Sequence, residues 1–190
     1  MHTINTHRPE IPGARERILL AAHELFYQEG IRATGIDRVI EKSDVAKATF
    51  YRHFPSKNDL IREFLKYRHQ LWMAWFIDAL NRHGGSIKAL TPALAEWFRD
   101  KSFRGCAFIN SVGELGSTMP EIAEITQRHK QEMADVIANL LPPSRHRKQD
   151  AQALALAVDG AIIRAQFDQT PDAALSSLEK IQRALMSIKK

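Results

Sequence analysis

The sequence predicts an all-α chain, with a three-helix N-terminal unit joined to a larger helical body. Apolar residues recur at three- and four-residue spacing through most of its 190 residues. Gly and Pro interrupt these runs at intervals suited to helices, and no convincing strand is found.

The first helix is expected over Ala14–Glu29, where Ile18, Ala22, Leu25 and Phe26 share a face and Gly30 supplies a C-terminal cap. Thr34 is the expected N-cap of a second helix reaching Lys42, with Ile36, Val39 and Ile40 turned inward. Ser43-Asp44-Val45 makes a turn. A third helix covers Ala46–His53, with Phe50 inward, and ends before Pro55. Ser56, with Asp59 three residues on, caps a long fourth helix to Arg82, which Gly84-Gly85 stops. A fifth helix is expected over Ser86–Asp100, restarted or bent at Thr91-Pro92. A short sixth follows Gly105, with Cys106 in its first turn. A seventh begins near Pro120 and ends before Pro142, and two more cover Arg147–Phe167 and Pro171–Ile188. The domain division that follows is a disordered arm over 1–13, a three-helix unit over 14–56 and a helical body over 57–190.

Composition narrows the class. With 44% hydrophobic and 26% charged residues, the chain suits an ordinary globular protein. No apolar run approaches a membrane span, so no membrane partner is expected. The opening MHTINTHRPEIPG lacks a signal-peptide core. A single cysteine, Cys106, excludes an internal disulfide framework, and a cytoplasmic setting is expected. The eight histidines have no metal spacing. No nucleophile–base pair or phosphate loop is evident, so the reading is not an enzyme, with no cofactor and no metal.

The net charge of +5 is mild, and residues 1–60 carry 9 Lys and Arg against 8 Asp and Glu. Bulk charge therefore says little about nucleic acid. The segment from Val45 to Lys57 says more, because it holds Lys47, Arg52, His53 and Lys57 with no acid. A short exposed basic helix after a turn suits the DNA major groove. Small Ala46 and Ala48 let the backbone approach base edges. Lys47 reaches guanine acceptors or phosphate, and Thr49 and Tyr51 offer hydroxyls. Lys57 comes with the free N–H groups that open the fourth helix.

Residues 15–60, and above all ATFYRHFPSK, resemble the tetracycline-repressor (TetR) family of bacterial regulators. The resemblance implies an all-helical homodimer with an N-terminal helix-turn-helix DNA-binding domain and a C-terminal domain for a small ligand and dimerisation. It carries base-reading roles to Ala46, Lys47 and Ala48. Phosphate-contacting or positioning roles go to Thr34, Thr49, Tyr51, His53 and Lys57. The family usually has Gly in the turn, where this chain has Asp44. Asp tolerates the left-handed conformation, so the turn should survive, with added negative charge near DNA.

In the body, Trp72, Trp75, Phe76 and Trp97 stand as tentative ligand-pocket residues, and equally as core. Two readings of Cys106 stand beside Arg104: a thiol activated at a helix start, or a small packing residue. Asn110 and His129 are candidate polar groups of the pocket, as are Glu114 and Gln166. Ala151, Ala153, Leu154, Ala157, Ala161, Ile162 and Ala165 form a small apolar surface on the eighth helix. Ala174, Leu178, Ile181, Leu185 and Ile188 form a stripe on the ninth. These helices would pair two subunits in a four-helix interface.

The expected function is a repressor released from a double-stranded operator by a small apolar or electrophilic effector. The fourth helix, carrying both Lys57 and Trp72, is the natural lever. Transcriptional activation and a ligand-independent or architectural DNA-binding role are the alternatives.

Overall fold

The computed structural model describes residues 12–187. The expected arm lies outside these residues except for Pro12 and Gly13, as does Ile188. Among the described residues there are nine α-helices, one 3-10 turn and no strand. They divide into two compact units, one closing at Phe64 and the other opening at Leu65.

In the first unit, α1 (Ala14–Glu29) packs on α2 (Ile36–Ser43) and α3 (Lys47–His53). Ile18, Ala22, Leu25 and Phe26 are buried at helical spacing, as their pattern requires. They meet Ile31, Val39, Phe50 and Phe54, with Leu60, Ile61 and Phe64 completing the core. Phe26 meets Phe64 edge-on, with centroids 5.4 Å apart. Such rings carry large buried area, so a small unit depends on each of them.

The local signals differ from expectation at one cap. Gly35 is the N-cap of α2. Thr34 lies one residue before that cap, buried, and its hydroxyl turns back to donate to the Gly30 carbonyl at 2.8 Å. Asp44 does take the left-handed conformation, with φ 50° and ψ 55°. Arg17 reaches into this turn, its Nε donating to the Ser43 carbonyl and its Nη2 to the Asp44 carbonyl, each at 3.1 Å. A cation at the C-terminus of α2 satisfies open carbonyls and opposes the helix dipole. Ser56 caps α4 (Lys57–Arg82) as expected, with the Asp59 N–H donating to Ser56 Oγ at 3.2 Å.

α4 begins in the first unit and continues into the second. There, Ile87–Ala89 form the 3-10 turn, and α5 (Leu90–Phe98) is shorter than expected. Pro92 lies in the first turn of α5, where a missing N–H costs nothing. α6 (Ala107–Leu115) starts after Cys106, which is its N-cap and not a first-turn residue. α7 (Glu121–Leu140) packs on α6 and on α8 (Arg147–Phe167). α9 (Asp172–Ser187) packs on α8 and α5. Phe76, Leu90, Leu94, Phe108, Ile122, Met133, Ile137, Leu154, Val158, Ile162 and Leu178 are the buried centre.

The apolar stripe named for pairing the last two helices is largely internal. Ala151, Leu154, Ala161, Ile162, Ala174 and Leu178 are buried against their own chain. A different stripe is exposed: Leu156 at 75%, Ile163 at 37% and Phe167 at 65% on α8, with exposed Ile181 on α9. Leu156, Ile163 and Phe167 are seven and four residues apart, hence on one face. α8 is apolar on two sides, so spacing alone could not choose between them.

Candidate functional site

The outer surface of α3 is set by two inward rings. Phe50 and Phe54 are buried, which turns the opposite side of a seven-residue helix outward. Ala46, Lys47, Ala48, Tyr51 and Arg52 are exposed, while Thr49 and His53 are half-buried. Tyr51 stands edge-on to Phe50 with centroids 5.2 Å apart and remains exposed. The predicted group Ala46, Lys47, Ala48, Thr49, Tyr51 and His53 thus falls on one short element.

Three neighbours qualify that surface. Lys47 Nζ pairs with Asp37 of α2 at 3.1 Å, and Asp37 raises the lysine pKa by hydrogen bonding and by charge. Lys57 Nζ donates to the Ile31 carbonyl at 2.6 Å and lies 5.9 Å from the Phe26 ring centre. Its stem thereby ties the start of α4 to the end of α1, a positioning contact. Thr34 is likewise positional, through Gly30. Arg17 and Asp37 were missed in the sequence; both act through space, at separations no helical period relates.

The body gathers a second group. Trp72 stacks on Phe76 with centroids 4.7 Å apart and meets Trp97 and His129 edge-on at 5.5 and 5.1 Å. Phe108 stacks on His129 at 3.7 Å. His129 Nδ1 lies 3.1 Å from His69 Nδ1, and His69 Nε2 lies 3.1 Å from Glu132. One of the paired Nδ1 atoms must donate and the other accept. Burial, then the charges of Lys130, His69 and Arg68, push the His129 pKa down to about 2. The ring is therefore neutral at physiological pH.

Trp72, Trp97, Cys106, Phe108 and His129 line a small cavity of about 10 Å³. Trp72, Trp75 and Trp97, with Leu71, Arg68 and Glu96, line an open cleft of about 370 Å³. Five of the seven pocket candidates therefore lie together. The other two do not line either space. Phe76 is buried beneath Trp72. Asn110 Nδ2 donates to the Arg104 carbonyl at 3.0 Å, and Gln166 Nε2 donates to the same carbonyl at 3.1 Å. Arg68, His69 and Lys130 escaped the sequence reading because basic residues on helices read as solvated faces. No group of three or more metal-ligating side chains occurs among the described residues, and no helix is long and apolar enough to cross a membrane.

The head and its exposed α3 define a helix-turn-helix DNA-binding protein. Residues 18–64 match the family model described as bacterial regulatory proteins, tetR family. The transcriptional regulator AcuR of Cereibacter sphaeroides is 23% identical over 178 residues, covering 86% of this chain and 81% of AcuR. An uncharacterized HTH-type transcriptional regulator in the lacX 3' region of Lactococcus lactis subsp. lactis is 24% identical over 108 residues. That match covers 54% of this chain and spans about half of the relative, at 55%. Among solved structures, SCO4454, a TetR-family transcriptional regulator from Streptomyces coelicolor, superposes with a TM-score of 0.81 at 28% identity, over 93% of this chain and 90% of that one. Residues 18–64 thus carry the DNA-binding domain of the TetR family, and over its length the chain is similar to a TetR-family transcriptional regulator.

Proposed function

We propose that this regulator is a repressor that binds its operator as a homodimer and releases it when a small apolar ligand enters the body. The observation that carries the DNA reading is the outward face of α3, where Lys47 and Tyr51 flank small Ala46 and Ala48. Residues 14–56 would serve DNA and residues 57–190 the ligand and the partner subunit. Ala46, Lys47 and Ala48 would face base edges, and Thr49, Tyr51 and His53 the phosphates. Thr34 and Lys57 would hold the frame.

The tryptophan-lined cleft supports a ligand, since sites of a few hundred Å³ with aromatic walls suit small molecules. A tenfold loss of operator affinity needs only about 1.4 kcal/mol of coupling. The exposed stripe Leu156, Ile163 and Phe167 supports pairing of two subunits through α8 and α9.

A second reading makes the effector an electrophile captured by Cys106. Its place at the start of α6, on the wall of the small cavity, favours this. Cys106 is buried, so rapid iodoacetamide labelling near neutral pH, and loss of the response in Cys106→Ser, are both required. Slow labelling of the folded protein refutes it.

Fluorescence anisotropy with DNA flanking the protein's own gene, against scrambled DNA at physiological salt, tests the DNA reading. Specific binding that weakens in Lys47→Ala and Tyr51→Phe is expected. Equal affinity for both DNAs would count against sequence reading at that site.

A further inference from the structure

Trp72 is more than nine-tenths buried, yet its indole Nε1–H has no hydrogen-bond partner among the described residues. A buried donor of this kind is uncommon and costly. The same ring lies on the walls of both the small cavity and the open cleft. Its faces and edges are already used by Phe76, Trp97 and His129, so the N–H is its remaining specific contact.

Charges of both signs lie around it. Arg68 lines both spaces, and Lys130 lines the cavity while paired with Asp159 at 2.5 Å. The acids at the cleft are engaged. Glu96 is held by Arg82 at 3.0 Å and by His83 at 3.1 Å, and Asp100 accepts from the Ser102 N–H at 2.7 Å.

Building on the ligand-responsive reading above, we propose that the cleft takes a small flat compound bearing a carbonyl or carboxylate oxygen. That oxygen accepts the Trp72 Nε1–H bond, and the flat body lies among Trp72, Trp75 and Trp97. The cleft has the volume for such a body, whereas the 10 Å³ cavity matches only a water-sized group.

The test uses the full chain labelled with ¹⁵N, whose three tryptophans give three indole N–H signals, assigned by single Trp→Phe variants. The probes are benzoate, methyl benzoate and benzyltrimethylammonium. Benzoate and methyl benzoate should move the Trp72 signal downfield and saturably, and the ammonium should leave it in place. By calorimetry, Trp72→Phe should weaken benzoate binding about tenfold while keeping the helical circular dichroism. No movement of the wild-type Trp72 signal with either oxygen-bearing probe at millimolar concentration overturns the proposal. So does equal binding of the cation. Operator affinity, measured separately, keeps the two readings distinguishable. A probe that shifts Trp72 without changing operator affinity supports the site and refutes ligand-responsive release. A probe that releases the operator without touching Trp72 overturns the oxygen assignment and leaves the release intact.

Discussion

Lys47 of α3 and Asp37 of α2 face each other at 3.1 Å on the exposed surface of the head. The pair is solvent-exposed, with side-chain exposures of 65% and 85%, so it contributes little to folding. Its consequence is for DNA. Lys47 must exchange a carboxylate for a phosphate or a base edge, and Asp37 then faces the anionic duplex. Asp37→Asn should raise operator affinity several-fold at low salt, with the gain shrinking as salt screens the surface. Anisotropy titrations over a salt series measure this, and an unchanged affinity would show that Lys47 stays out of the contact.

Asp44 holds the turn between α2 and α3 at φ 50°. A side chain in the left-handed region carries strain that glycine avoids. Asp44→Gly should leave the fold intact and change stability by no more than about 1 kcal/mol, the relief of strain offsetting the gain in unfolded-state entropy. It should also tighten DNA binding by removing a charge beside α3. Weaker binding would mean that the Asp44 carboxylate positions the turn.

Gly105 precedes Cys106 at φ 78°, and a Cβ there would fall on the Gln166 amide. Gly105→Ala should cost about 1–3 kcal/mol by urea denaturation, from backbone strain plus displacement of Gln166. Adding Gln166→Ala should recover the steric part and leave the backbone part. If the double variant recovers everything, the conformation is unstrained.

His129 has a pKa lowered from its ordinary 6.5 to about 2. The folded state therefore keeps it neutral while the unfolded state takes up a proton. The stabilisation is fully present above about pH 6.5 and is lost progressively as pH falls toward 2. Over the first 1.5 units the loss should reach about 2 kcal/mol. Comparing the pH slope of urea stability with that of His129→Leu isolates it. Equal slopes between pH 6.5 and 5 would show that the imidazole protonates readily in place.

Leu156 and Phe167 are the most exposed large apolar side chains on α8. Leu156→Glu should convert the protein to monomers, read by light scattering after gel filtration, with helical content unchanged. Retention of a dimer would move the subunit interface elsewhere.

Local order was legible in the residues because its causes are local. The α1 stripe from Ile18 to Phe26, the Ser56–Asp59 cap and the left-handed Asp44 follow from spacing and from the preferences of single side chains. The family signature in ATFYRHFPSK falls on the same segment, because a recognition helix requires its inward rings and outward small and basic residues within two turns.

What the residues alone could not decide was which distant groups meet. Thr34 reads as a cap, but Gly35 takes that position and the Thr34 hydroxyl turns back to Gly30. Lys47 reads as a plain cation, but α2 brings Asp37 against it. Asn110 reads as a pocket group, but Arg104 and Gln166 claim it, while His69, sixty residues away, joins His129. Helical periodicity gives each side chain a direction around its own axis. Only the packing of one helix against another determines whether that direction ends in core, solvent or a cleft.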